Sequence, residues 1–105
     1  MCGIVGAITS APMSKTELAP MLEKIRHRGP DGMGSEFLHT KAAPHVHIAL
    51  GHVRLSIVDL SEAGHQPMAY QERYWLTYNG EIYNHHELRA ELSGKGYSFH
   101  SQTET

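Results

Sequence analysis

The sequence has little of several features that mark particular classes of protein. Among its 105 residues there is one cysteine, Cys2, which excludes an internal disulfide framework and fits a reducing compartment. No apolar run reaches the roughly 18–20 residues of a membrane-spanning helix, and no basic region precedes a signal-peptide core. Lysine and arginine number 9 against 11 aspartates and glutamates, so neither a basic nucleic-acid groove nor an acidic tail is expected.

Histidine, in contrast, is abundant, with nine in the chain. His45 with His47 and His85 with His86 could suggest a metal site. However, no histidine pair is joined by a cysteine or has the helical spacing of a zinc site. We therefore expect exposed histidines that titrate at about pH 6–7, and no metal site.

The first half of the chain predicts a strand followed by a helix. Isoleucine and valine with two glycines indicate a buried strand over residues 2–8. Ser14 and Glu17 have capping-box spacing, and the helix they open should end near residue 27, with Pro20 accommodated near its first turn. The apolar residues of its expected buried face are Leu18, Met21, Leu22 and Ile25.

The remainder predicts further strands and a second helix. We expect a loop over 28–34, strands over 35–40 and 46–52, and an apolar segment over 54–60. Aromatic and β-branched residues on both sides of Asn79-Gly80 predict a β-hairpin with a two-residue turn there. Asn84 and Glu87 predict a second capping box, opening a helix that ends at Gly94 or Gly96, before a strand that begins at Tyr97.

These elements indicate an α+β or layered α/β fold. Two helices are too few to cover both faces of the sheet, and a chain of this length has a marginal core. We therefore expect residues 1–105 to be part of a domain rather than a whole one.

Cys2 has two interpretations that its residue type leaves open. Most free cysteines are small buried hydrophobes. If Met1 is removed, which the small side chain at position 2 permits, the thiol and a free α-amino group share one residue. Because an α-amino group has an ordinary pKa of about 7.7–8.0, it can act as the base for a thiol near neutral pH.

Several ordered motifs resemble a known family. The opening MCGIVG is similar to the start of glutamine amidotransferases of the N-terminal nucleophile type. The segments that resemble glutamine-hydrolysing asparagine synthetases are RHRGPDG at 26–32, GHVRLSIVDL at 51–60, GHQPM at 64–68 and YNGEIYN at 78–84. Amidophosphoribosyltransferases and glucosamine-phosphate synthases share the opening but usually differ in the first loop.

The resemblance implies a fold and an activity. The fold is a layered αββα Ntn-hydrolase-type glutaminase domain, of which residues 1–105 would be the N-terminal part. The activity is hydrolysis of L-glutamine to glutamate and ammonia, with the ammonia amidating an aspartyl-adenylate. ATP and Mg would belong to a synthetase domain absent from this chain, and no cofactor is expected within it. A cytoplasmic protein is implied, with no nucleic-acid or membrane partner and a possible homo-oligomer in full-length form.

The resemblance also implies roles for individual residues. Cys2 would be the nucleophile, Asn79 and Gly80 would stabilise the oxyanion, and Arg54 would bind the α-carboxylate of glutamine. Further residues expected at the glutamine site are Leu55, Ser56, Ile57, Val58, Glu81 and Glu104. Glu104 stands where the family usually has an aspartate that binds the ammonium group.

Other interpretations of these residues stay open at this point. Asn79-Gly80 suits an ordinary hairpin turn, Arg54 could be a surface arginine, and Glu104 could be a charged residue in a frayed end. For the chain as a whole, the alternatives are a related amidotransferase with a different acceptor and a non-catalytic glutamine-binding module or relic of the fold.

Overall fold

The computed structural model describes residues 2–55 and 64–99. The elements, in chain order, are β1 (Gly3–Thr9), α1 (Lys15–Ile25), a 3-10 turn (Arg26–Arg28), β2 (Gly32–Thr40), β3 (Ala43–Arg54), β4 (Met68–Tyr70), β5 (Tyr74–Leu76) and α2 (His85–Gly94). Over these residues the protein is thus a mixed fold of antiparallel strands and two helices, as predicted. The predicted apolar segment over 54–60 falls almost entirely outside the described residues.

β3 is the central strand of a three-stranded antiparallel sheet with the order β1-β3-β2. Its residues pair with β1 from Gly3↔Val53 to Thr9↔His47, and with β2 from Gly32↔Arg54 onward. The strands predicted over 2–8, 35–40 and 46–52 are confirmed, but the loop predicted over 28–34 is wrong at its end. β2 begins at Gly32, since pairing with β3 supplies its hydrogen bonds and overrides the loop preference of glycine.

Helix α1 packs on one face of this sheet. Its capping box is confirmed, because the Ser14 hydroxyl accepts from the Glu17 N–H at 3.2 Å and the Glu17 carboxylate accepts from the Ser14 N–H at 3.1 Å. The buried core comprises Leu18, Leu22, Ala49 and Val53, with Met21 and Ile25 packed against it. Pro20 lies inside the helix beyond the first turn, further along than expected, and the helix continues through it.

Gly51 allows the helix to lie directly on β3. A Cβ at this position would meet the Val5 side chain at 2.6 Å and the Leu22 side chain at 2.9 Å. The odd-numbered residues at this end of β3 therefore face α1, and the even-numbered residues face the other way.

The opposite face of the sheet, which we call the outer face, is covered less. Ile4 and Ile8 of β1 belong to it and are 48% and 76% exposed. Among the described residues, the segment 64–78 contacts this face at Gly34, which lies against Gln66, and at His52, which is hydrogen-bonded to Tyr78. Apolar residues therefore remain solvent-exposed on a sheet covered mainly on one side, as expected from the small number of helices.

The hairpin predicted at Asn79-Gly80 is wrong. Strand β5 pairs with the preceding strand β4, and the turn between them has Gln71 and Glu72 at φ 55° and 54°. The Arg73 N–H closes this turn by donating to the Tyr70 carbonyl at 3.1 Å. Neither Asn79 nor Gly80 has the positive φ that a type I′ turn requires, because contacts with β3 hold this segment instead.

Helix α2 begins after Asn84 and ends at Gly94, as predicted, but its capping box is not formed. The Asn84 side chain makes no capping hydrogen bond. The strand predicted from Tyr97 is also wrong over 97–99, which have no strand structure. Across residues 2–55 and 64–99, neither helix has the length and apolar character needed to span a bilayer.

Candidate active site

Cys2 lies where β1 begins, beside the end of β3. The pairing of Gly3 with Val53 brings the residue before Gly3 next to the residues after Val53. As a result the Leu55 N–H donates to the Cys2 Sγ at 3.3 Å, and the same Sγ lies 3.7 Å from the Leu55 carbonyl oxygen. The half-buried thiol is thus held against main-chain atoms immediately after Arg54.

The loop after α1 holds the other side of Cys2. Arg28 Nε donates to the Cys2 carbonyl at 2.9 Å. The following Gly29 is buried against the main chain of Val53 and Arg54, and the Asp31 N–H donates to the Arg54 carbonyl at 2.9 Å. One short loop therefore contacts both the cysteine and the end of β3.

Arg28 was not among the predicted site residues. Its contact with Cys2 spans 26 positions, which no local pattern reveals. The sequence did place Arg28 in the RHRGPDG motif. That motif predicts a loop, but it does not indicate which of its side chains contacts Cys2.

Arg54 is the last residue of β3 and is partly buried, so it is not the freely exposed surface arginine of the alternative interpretation. It precedes Leu55, which contacts the thiol. The structure therefore places the thiol of Cys2 against Leu55, directly after Arg54 at the end of β3. A guanidinium can bind a carboxylate through two parallel hydrogen bonds.

Asn79, Gly80 and Glu81 lie in an exposed segment between β5 and α2. The residues just before them are attached to β3, because Thr77 Oγ1 donates to the Gly51 carbonyl at 3.3 Å and His52 Nε2 contacts the Tyr78 carbonyl at 3.2 Å. No hydrogen bond within the described part of the chain joins Cys2 to these three residues. They are placed near the same strand but are not assembled with the thiol.

His52 corrects the expectation of exposed histidines, because it is only 1% exposed. Burial is the main cause that lowers its pKa below the ordinary 6.5, and the charges of His65 and Arg54 act in the same direction against the hydrogen bond to Tyr78. Since a carbonyl oxygen can only accept, the hydrogen bond requires the Nε2–H form of the ring. His52 is thus a neutral donor near pH 7.

The remaining predicted site residues are Ser56, Ile57, Val58 and Glu104, and they lie outside the described residues. Within 2–55 and 64–99, no group of three or more histidine, cysteine, aspartate or glutamate side chains is arranged to hold a metal ion.

The thiol of Cys2 and the main chain of Leu55 thus meet at the end of β3, whereas Asn79, Gly80 and Glu81 lie apart from the thiol. The family model described as a glutamine amidotransferase domain matches residues 1–105. The chain belongs to this family.

Named relatives agree with this assignment. The chain is 42% identical to asparagine synthetase [glutamine-hydrolyzing] 1 of Bacillus subtilis, an alignment covering 100% of this chain and 16% of the relative. It is 38% identical to asparagine synthetase [glutamine-hydrolyzing] of Zea mays, over 88% of this chain and 15% of that protein. It is 37% identical to amidase chry2 of Gibberella zeae, over 89% and 15% respectively. No solved structure matches the chain.

The chain therefore spans about one sixth of the length of the curated relatives it matches, with 16% coverage of the Bacillus subtilis protein. What it has in common with them is their glutamine amidotransferase domain.

Proposed function

We propose that this chain hydrolyses glutamine to glutamate and ammonia through Cys2, as the N-terminal part of a glutaminase domain in a larger amidotransferase. The observation that carries the proposal is the 3.3 Å contact between the Leu55 N–H and the Cys2 Sγ, directly after Arg54. It holds a nucleophile beside a residue able to bind a carboxylate. Glutamine offers both the carboxylate and an electrophilic amide carbon.

The reaction begins after removal of Met1, which frees the α-amino group of Cys2. This amine takes the thiol proton, and the sulfur attacks the side-chain amide carbon of glutamine. The tetrahedral intermediate collapses as the amide nitrogen leaves with a proton as ammonia, and a thioester remains on Cys2. Water then adds to the thioester, and the carbon–sulfur bond breaks to release glutamate and the thiol.

The oxyanion of each tetrahedral intermediate needs donors that face it. We assign this role to the Asn79 side-chain amide and the Gly80 N–H. Loss of one such donor typically costs about 10²–10³-fold in kcat. Because the two residues are exposed and make no hydrogen bond to Cys2, we infer that they close over the thiol when glutamine occupies the site.

Glutamine is recognised at both of its charged ends. Arg54 binds the α-carboxylate, Glu104 binds the α-ammonium group, and Glu81 is a further residue that contacts glutamine. The segment that would line the rest of the pocket comprises Leu55, Ser56, Ile57 and Val58.

The outer face of the sheet supports the layered αββα architecture for the complete domain. Ile4 and Ile8 are exposed there, whereas the same strands bury their other face under α1. We propose that a second sheet, contributed by sequence of the domain beyond these residues, packs on this face. Such packing removes apolar surface from water on both sides of the strands.

For the whole protein we propose cytoplasmic asparagine synthesis, in which the ammonia amidates an aspartyl-adenylate. ATP and Mg supply acceptor activation there. The described residues of this chain include no cluster of metal ligands for Mg, and we propose that ATP and Mg bind in a separate synthetase domain. The likeness to an amidase from Gibberella zeae supports a second candidate, an amidotransferase with a different acceptor.

The test uses the full-length protein and its Cys2→Ala variant. We expect the wild type to release ammonia from glutamine, to have lost Met1 by intact mass, and to be labelled at Cys2 by a glutamine analogue carrying a diazo-ketone. The Cys2→Ala variant should release no ammonia while still binding glutamine by calorimetry. As a control, Ser10→Ala, at an exposed position in the loop before α1, should behave as wild type. Ammonia release by Cys2→Ala at the wild-type rate, or full activity with Met1 retained, would disprove the proposal.

A further inference from the structure

We propose that His52 and Gln66 are positioning residues for the oxyanion site: together they hold the main chain of Tyr78 and thereby set where Asn79 and Gly80 place their donors. The inference rests on the proposed function, because it concerns the same hydrolysis. It adds two residues that contact neither the substrate nor the thiol in the proposed mechanism.

The two side chains contact the same residue from two sides. Gln66 Oε1 accepts from the Tyr78 N–H at 2.6 Å, and His52 Nε2 donates to the Tyr78 carbonyl at 3.2 Å. Both polar groups of the Tyr78 main chain are therefore satisfied by side chains rather than by a neighbouring strand. Thr77 adds a third attachment one residue earlier, through the Gly51 carbonyl.

His52 and Gln66 are also the buried polar side chains of the described part of the protein, at 1% and 5% exposed. A buried polar group without a hydrogen-bond partner destabilises the folded protein. Each of these hydrogen bonds is therefore strongly favoured once the segment around Tyr78 packs on β3. Burial also restricts the movement of both side chains. They therefore give Tyr78 a fixed position relative to β3.

Gly34 explains how Gln66 comes to lie beside His52. Gly34 pairs with His52 across β2 and β3, and a Cβ on Gly34 would overlap the main chain of Gln66. The segment 64–67 thus packs on the outer face where β2 has no side chain. This close approach brings the Gln66 amide to the peptide that His52 also contacts.

The fixed position of Tyr78 determines where Asn79 and Gly80 begin. Asn79 and Gly80 are exposed and lack such attachments, so the anchored Tyr78 is the origin from which they extend. The same strand, β3, carries His52 and ends at Arg54, two residues away, beside the thiol. Because β3 supports both groups, the clamp formed by His52, Gln66 and Tyr78 fixes the point from which Asn79 and Gly80 reach toward the nucleophile.

The competing explanation is that the clamp only attaches Tyr78 to β3 and so stabilises the fold. The two explanations predict effects on different steps of the reaction. A displaced oxyanion donor slows the steps with a tetrahedral intermediate, whereas binding of ground-state glutamine and simple alkylation of the thiol do not use that donor. Loss of the fold would instead lower the rate of hydrolysis, the affinity for glutamine and the rate of alkylation together.

The experiment measures glutaminase kcat and KM, Cys2 alkylation by iodoacetamide and the melting temperature in the full-length protein. His52→Leu and Gln66→Leu each remove one contact to Tyr78. His52→Gln and Gln66→Glu each keep it, because the glutamine amide can donate and the glutamate carboxylate can accept. His45→Leu changes an exposed histidine on the same strand and serves as the matched control.

We expect His52→Leu and Gln66→Leu to lower kcat about 10–100-fold, less than the full loss of a donor, with KM and the alkylation rate within about twofold of wild type. The conservative variants should recover most of kcat, and His45→Leu should match the wild type. Parallel loss of kcat, alkylation and melting temperature, or unchanged kcat in folded leucine variants, would overturn the proposal. If His52→Leu does not fold, Gln66→Leu and the conservative pair decide it.

Failure of this inference is distinguishable from failure of the proposed function. Ammonia release by Cys2→Ala would remove the hydrolytic mechanism itself. A wild-type kcat in folded leucine variants, with Cys2→Ala inactive, would leave that mechanism standing and remove only the positioning role.

Discussion

Replacement of Gly29 with alanine tests whether the loop after α1 sets the spacing of the site. A Cβ on Gly29 would overlap the main chain at Val53 and Arg54, and it would lie 2.6 Å from the Val53 carbonyl oxygen, where ordinary contact begins at 3.4 Å. Main-chain atoms cannot rotate away as a flexible side chain can. Since φ of Gly29 is −150°, the cost is steric rather than conformational, and either the loop or the end of β3 must move.

The size of the effect follows from what is attached to the moving parts. Overpacking of this kind typically costs about 1–3 kcal/mol of stability. The loop also carries the hydrogen bonds from Arg28 to Cys2 and from Asp31 to Arg54, so the thiol moves relative to the guanidinium. A misplacement of about 1 Å between reacting groups can cost about 10²-fold in rate, and we expect a loss of kcat/KM approaching that value.

The assay compares Gly29→Ala with Gly32→Ala in the full-length protein by thermal unfolding and by glutaminase kinetics. Gly32 is the matched control, because its Cβ would meet only the Arg54 side chain, at 3.6 Å, in ordinary contact. A Gly29→Ala variant with the stability and kcat/KM of the control would contradict this prediction, because the loop would then tolerate a methyl group between itself and β3.

Three further predictions concern binding, packing and pH. Arg54→Lys should raise KM for glutamine, because lysine cannot make the two parallel hydrogen bonds to the carboxylate. The control Arg73→Lys, on an exposed turn, should leave KM unchanged. Equal KM values for the two variants would contradict the role of Arg54 in binding the carboxylate. Leu22→Ala should cost about 2–5 kcal/mol in unfolding experiments, and Leu88→Ala, at a position 37% exposed, much less; similar losses would place Leu22 outside the core. Burial lowers the pKa of His52, so as pH falls the histidine takes up a proton in the unfolded chain before it does so in the folded protein. The free energy of unfolding should therefore decline below about pH 6.5. A His52→Gln variant with the same decline would show that another group causes it.

Local patterns predicted the parts of the fold that local contacts form. The α1 capping box depends on two residues three positions apart, and the buried Leu18 and Leu22 follow from helical spacing. The Asn79-Gly80 dipeptide has an equally strong local preference, but long-range contacts of Tyr78 with β3 oppose it. The hairpin forms instead at Gln71 and Glu72, residue types that rarely adopt positive φ, because pairing of β4 with β5 requires the turn there.

The candidate site shows the same division. Cys2, Arg54 and Leu55 were predicted through the resemblance to a family, and the structure places the Leu55 N–H against the Cys2 thiol, directly after Arg54. Arg28 contacts Cys2 and His52 contacts Tyr78, each across 26 positions, and composition gave no reason to separate His52 from the exposed histidines. Such contacts are properties of the strand register, which no short motif records.

The register of β3 accounts for how one strand serves the core and the site at once. Alternation sends Val53 toward α1, where it is fully buried, and His52 toward the outer face, where it holds Tyr78. The strand then ends at Arg54, and the next N–H, from Leu55, reaches the thiol of Cys2. A shift of one residue would exchange the two faces, burying His52 under α1 and removing the support of Tyr78. The packing of α1 on β3 therefore specifies the geometry of the site as well as the stability of the fold, which is why the loop between α1 and β2 is the place where a single methyl group should affect both.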